Sequence, residues 1–181
     1  MRKIGWRSLL VAGALVTLGA TGAQADFIPL TATLTGSQET PPNSSPGMGA
    51  ASFILDDVAG TLTTAATFAG LTAPTILVQG AAAHIHMGAP GVAGPIIHNL
   101  PLGAGVTSGS FTDIWMGLTA AEIGAIKSGD TYINIHTTAF PGGEIRGQLT
   151  IIPEPSSLVL IGLGSLGLLG SAWRHRRQPV V

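Results

Sequence analysis

Between residues 26 and 152 the chain is written in short runs of β-branched, aromatic and aliphatic residues, separated by stretches rich in Gly, Pro and Asp. That is strand punctuation, and it predicts strands at 31–35, 52–55, 61–68, 75–79 continuing toward His86, 95–100, 106–112, 131–137 and 144–152. Asp56-Asp57-Val58-Ala59-Gly60 lies between two runs and reads as a hairpin connection. One helix interrupts the pattern. Thr119-Ala120-Ala121-Glu122 fits a capping box, Ile123 and Ile126 give it an apolar edge, and Ser128-Gly129 ends it. Stretches 41–49 and 88–94, rich in Gly, Ala and Pro, are loops. The expected fold is all-β: an antiparallel β-sandwich or Greek-key barrel with one short helix, flanked by N- and C-terminal apolar helices.

The alternation matters most where it carries histidine. In Ala83-His84-Ile85-His86 the period of two places His84 and His86 on one face and Ile85 on the other. In Tyr132-Ile133-Asn134-Ile135-His136 it groups Tyr132, Asn134 and His136, with Ile133 and Ile135 facing a core. Two strands would thus each turn an apolar side inward and a histidine side outward. Neutral imidazoles suit copper or zinc, and for nitrogen ligands the Irving–Williams order favours Cu(II) over Zn(II). The other reading makes His84 and His86 hydrogen-bonded surface residues tied to loop 88–94, with His136 bonding across strands. His98 is expected to face solvent, Glu144 and Arg146 to pair along one strand face, and Glu39 to fix the first turn of the domain.

The two ends direct the chain elsewhere. Arg2, Lys3 and Arg7 form a basic start, an apolar run follows over 9–20, and Ala23-Gln24-Ala25 is a small-x-small cleavage signal. A run that short falls below the roughly 20 residues of a membrane-spanning helix. Residues 1–25 therefore read as a signal peptide and 26–152 as the mature domain. In 153–181, Pro153-Glu154-Pro155-Ser156 precedes an apolar, Gly-rich stretch over 158–173 and the basic Arg174-His175-Arg176-Arg177. This ending resembles the PEP-CTERM sorting signal of Gram-negative bacteria. The resemblance implies transient anchoring in the inner membrane as a helix, cleavage by an exosortase, and a secreted or cell-surface protein.

Six of the eight Lys and Arg lie in these end segments. Between 26 and 152 only Lys127 and Arg146 remain against eight acids, a net charge of about −6 with neutral histidines. Phosphate binding needs clustered cations, so nucleic acid is excluded as a partner. Cysteine is absent, which removes disulfides and thiolate ligands and leaves stability to the core. No Gly-x-Ser-x-Gly elbow, phosphate loop or nucleotide fingerprint appears, and no acids are spaced as a glycosidase pair.

Four blocks carry a family resemblance: Gly36-Ser37-Gln38-Glu39-Thr40-Pro41-Pro42, Ala83-His84-Ile85-His86-x-Gly88 with Gly94-Pro95 after it, Tyr132-Ile133-Asn134-Ile135-His136-Thr137, and Pro141-Gly142-Gly143-Glu144-Ile145-Arg146-Gly147-Gln148-Leu149. In order and content they resemble the CHRD domain, first named from chordin. That resemblance implies an extracellular β domain, here a binding or matrix-associated module whose partners would be cell-surface polysaccharide or protein. A second resemblance is to the copper site of copper/zinc superoxide dismutase, a Greek-key β barrel. It implies His84, His86, His98 and His136 as copper ligands and Arg146 as the arginine that attracts superoxide, hence a copper-binding redox protein as the alternative. This chain departs from that pattern in lacking cysteine, in having no His and Asp cluster between His98 and His136 for zinc, and in its shorter spacings.

Overall fold

The computed structural model describes residues 27–153, 164–166 and 168. The segment expected as a signal peptide and most of the sorting segment lie outside the described residues. Among the described residues no helix is long and apolar enough to cross a membrane.

Nine strands follow in chain order: β1 (Phe27–Thr35), β2 (Met48–Asp56), β3 (Thr61–Ala69), β4 (Ala83–Met87), β5 (Ile96–Leu100), β6 (Gly109–Met116), β7 (Thr131–Ile135), β8 (Ile145–Gln148) and β9 (Thr150–Ile151). One helix, α1 (Ala120–Ser128), separates β6 from β7. The strands form one sheet in the order β5-β4-β7-β8-β1-β2-β3-β6, with β9 also on β1. Every pairing is antiparallel. The sheet curls into a nearly closed barrel, so that the all-β expectation holds.

Alternation explains which residues fill it. Leu30, Ala32 and Leu34 of β1, Ala51, Phe53 and Leu55 of β2, Leu62, Ala66 and Phe68 of β3, and Ile133 and Ile135 of β7 point inward and are buried. Ile126 of α1 joins the same core. The helix starts and stops as its sequence dictates. The Thr119 side chain accepts from the Glu122 amide, Glu122 reaches back to the Thr119 amide, and Gly129 closes the helix at φ 78°.

The strands expected at 31–35 and 52–55 each begin four residues earlier, at Phe27 and Met48, and three other expectations change further. The run at 75–79 forms isolated bridges at Thr75 and Val78 rather than a strand, because Gln79 and Gly80 adopt φ of 48° and 101° and turn the chain. The strand expected at 106–112 begins at Gly109 and continues to Met116, where it pairs β3 along its length. The final run divides at Leu149 into β8 and β9. Both flanks pair with β1, and Gly147 lies against the Thr33 carbonyl, where an added Cβ would sit 2.7 Å from its oxygen.

The edge strands β5 and β6 meet through side chains. The register sets His98 opposite Ile85, on the core side of β4 rather than beside His84 and His86. His98 Nε2–H donates to Asp113 Oδ2 at 2.6 Å, and its ring stacks on Trp115 with centroids 4.6 Å apart. The expectations of a solvent-facing His98 and of a fourth copper ligand are both corrected by this register: the residue fastens the seam. Asp113→Asn or His98→Ala is expected to lower stability by about 1–2 kcal/mol. A urea titration should show the midpoint falling with an unchanged slope; an unmoved midpoint would mean that the seam is held by other contacts.

Candidate metal centre

The outer face of β4, β7 and β8 is the polar face of the barrel. Register places His84, Asn134 and Arg146 in one row and His86, Tyr132 and Gln148 in the next. On an antiparallel sheet such a face would ordinarily meet water. Here it is buried, with His84, His86, His136 and Arg146 exposed by 0, 7, 3 and 2 %. The expectation of an outward, surface histidine face is therefore corrected. Loops 70–82, 88–95 and 136–144 fold over it.

Each histidine is held by one of these loops through a backbone carbonyl. His84 Nε2 bonds Val78 O at 2.8 Å, His86 Nδ1 bonds Gly94 O at 2.8 Å, and His136 Nδ1 bonds Pro141 O at 2.9 Å. A carbonyl only accepts, so these nitrogens carry the protons and the tautomers follow. The opposite nitrogens, His84 Nδ1, His86 Nε2 and His136 Nε2, are then lone-pair acceptors. All three are buried, and by hydrogen-bond geometry none has a partner among the described residues, although Asn134 lies close enough to His86 to favour its protonated ring.

The three residues offer ligand atoms that lie within 4.8 Å of one another. A triangle with no side longer than that has a point within about 2.8 Å of every corner, so inward movements of roughly 0.8 Å per ring would give metal–imidazole bonds of about 2.0 Å. Burial is the first cause holding all three histidines below their usual pKa. For His84, pushed down to about 4, the neighbouring His136 and His86 act in the same direction. His86 is lowered by burial and by Arg146, against the Gly94 carbonyl and the Asn134 amide, which favour the protonated ring. His136 is lowered by burial and by His86. The trio is neutral near pH 7, the form a metal requires.

The arginine behind this group is fully engaged. Arg146 Cζ sits 3.4 Å from the Tyr132 ring centroid, and Tyr132 stacks on His86 at 4.7 Å and 10°. Its two terminal nitrogens donate to Thr40 Oγ1, Val92 O, Ala89 O and Gln148 Oε1 at 3.0–3.1 Å. Those four bonds use all four terminal N–H groups, so receiving an anion there would break an existing bond. Glu144 does not pair with Arg146 as expected, because it precedes β8 and turns the other way. One oxygen accepts from Ser45 Oγ and the Thr72 amide, the other from Thr137 Oγ1. Burial alone would raise its pKa, but these bonds outweigh it and hold the carboxyl ionised, below the usual carboxylate range.

Two further residues join the site. Asn134 Oδ1 is a further buried acceptor without a partner among the described residues. Glu39, expected in a turn, is buried against Gly143 and beside Arg146, with Oε1 unpartnered among the described residues. It borders two surface clefts of about 300 and 320 Å³, one shared with Arg146 and Gln148, the other with Phe140 and Pro141. Only the acid within the Gly36-to-Pro42 block marked it in the sequence.

A nearly closed antiparallel barrel with a loop-covered trio of imidazoles, each fixed by a carbonyl on one nitrogen only, is an all-β domain with a candidate three-histidine metal centre. The chain belongs to the CHRD domain family, whose sequence model matches residues 30–149. The PEP-CTERM protein-sorting motif matches residues 152–177, which makes this an exported, exosortase-sorted protein, secreted or at the cell surface of a Gram-negative bacterium. No curated protein and no solved structure matches the chain.

Burial pushes the Glu39 carboxyl up from 4.5 to about 7, and Arg146 offsets only part of that rise. Between those values the folded chain holds a proton that the unfolded chain has released. Stability therefore falls as pH rises through this window, and the full loss is present above it. Glu39→Gln should match the parent below about pH 4 and exceed it by up to about 3 kcal/mol above about pH 8. Denaturant titrations across pH check this; a difference independent of pH would show that the Glu39 carboxyl has the same pKa in the folded and unfolded chain.

Proposed function

We propose that this exported CHRD domain is a binding module that holds one transition-metal ion, copper foremost, between His84, His86 and His136. The observation that carries the reading is the set of three buried ring nitrogens, each left without a partner while its opposite nitrogen is fixed by a loop carbonyl. Buried polar atoms are normally satisfied, and three exceptions on residues whose ligand atoms lie within 4.8 Å of one another fit a metal-ligand set. The carbonyls are the outer partners that fix tautomer and ring direction in metal sites.

Superoxide turnover draws less support from the same geometry. His98 stands at the seam, Arg146 has no terminal N–H to offer an anion, and the acidic domain does not steer anions inward. Holding the ion, rather than cycling it against a substrate, is the better fit. The full chain should take up one equivalent of copper, and His84→Ala or His136→Ala should abolish uptake while leaving the far-ultraviolet circular dichroism unchanged. Undiminished uptake in either variant would sink the reading.

A second observation favours attachment to the cell surface or its matrix. The outer face of β1, β2, β3 and β6 carries Thr31, Ser52, Ala65 and Thr112 in one row and Thr33, Ala50, Thr67 and Ser110 in the next, all uncharged. Such a shallow, concave, small-residue face can lie close against an extended polymer and donate hydroxyls to it. The exported protein is expected to co-sediment with cell-surface polysaccharide or protein. Recovery of the mature form wholly free of both would remove this role.

A further inference from the structure

We infer that the ion this centre selects is monovalent copper, held by the three imidazole nitrogens as a three-coordinate site. The inference rests on the three-histidine reading above and adds to it the oxidation state and coordination number.

Donor number is the first argument. Among the described residues the group of His, Cys, Asp and Glu able to share an ion comprises His84, His86 and His136 alone. Zn(II) takes four ligands in a tetrahedron, and Cu(II) takes a tetragonal set. Both would need water or another donor to complete the shell. The three rings are 0, 7 and 3 % exposed, and the clefts bordered by Glu39 are lined by other residues, so solvent has little access to a fourth position. Asn134 adds a neutral amide oxygen at most.

Charge is the second argument. A buried ion is stabilised only where opposite charge or well-aimed dipoles compensate it. The three ligands are neutral. Glu144 directs both oxygens to Ser45, Thr72 and Thr137, and Glu39 lies beside Arg146. Behind His86 the stack continues through Tyr132 to the Arg146 guanidinium, a fixed positive charge. A dication would add two charges to this setting and a monocation one.

Rigidity is the third. Val78, Gly94 and Pro141 each pin one ring, and Gly94 is itself held by its amide, which donates to the Tyr132 hydroxyl. Rings so held can close on a central ion by small shifts, but they cannot rearrange into a square.

The test is an anaerobic titration of the full chain in detergent with Cu(I) against a chromophoric Cu(I) chelator, alongside Zn(II) and Cu(II) titrations. The expected result is one Cu(I) per chain, bound at least about 100-fold more tightly than Zn(II). X-ray absorption of the Cu(I) form should give three nitrogen neighbours at about 2 Å. Zn(II) or Cu(II) held as tightly as Cu(I), or a fourth ligand in the absorption data, would overturn the inference and leave the histidine site standing. Failure of all three ions to bind would overturn both. If His136→Ala does not fold, the absorption measurement on the unaltered chain still decides.

Discussion

The loop-covered face of this barrel depends on one buried guanidinium. Arg146 rises from β8 and lies flat on Tyr132. From there it reaches Thr40 in one loop and the carbonyls of Ala89 and Val92 in another. Taking a guanidinium out of water costs several kcal/mol unless its donors are met, and here all four terminal N–H groups are. The same bonds that satisfy the charge bring loop 88–95 down onto the sheet. With the loop in place, Gly94 O meets His86 and the Tyr132 hydroxyl accepts from the Gly94 amide. Lysine could not replace it, since a point charge on a flexible stem neither stacks nor spans two loops.

The histidines extend that arrangement to three loops. Val78, Gly94 and Pro141 belong to different connections, and each bonds a different ring. Glu144 ties a fourth set together by gathering Ser45, Thr72 and Thr137 around one carboxylate. An ion between the rings would thus link three loops through ligands whose opposite edges already hold them. Occupancy and loop order become one equilibrium, because an ion that binds only the folded arrangement stabilises it by mass action.

How much of this could be read from the chain follows from what periodicity can encode. His84 and His86 at i and i+2, with Tyr132, Asn134 and His136 in the same phase, fixed which residues share a face, and the register bears that out. The capping box of α1 was legible because its hydrogen bonds are local. Strand partners were not, so His98 could be grouped with the other histidines until its pairing with Ile85 placed it at the seam. The depth of the site was equally hidden. A polar strand face normally signals water, and nothing in alternation reveals that loops held by Arg146 and Glu144 will cover it. Glu39 escaped for the same reason, since its burial against Gly143 is a contact across about 100 residues.

Closure also bears on what kind of protein this is. An exported chain without cysteine can neither staple itself with disulfides nor bind metal through thiolates, so its stability rests on burial and any metal ligands must come from other side chains. The core supplies stability from the inner face of the sheet, and the loop-covered outer face supplies a dry, neutral nitrogen cage. A site open to solvent would exchange its ion and its ligands quickly, as turnover requires. This one encloses its donors beneath loops that also fasten the domain, so releasing an ion held there would mean loosening part of the fold. Slow exchange coupled to structure would be the behaviour of such a centre, that of a retaining or structural site rather than of one that turns over.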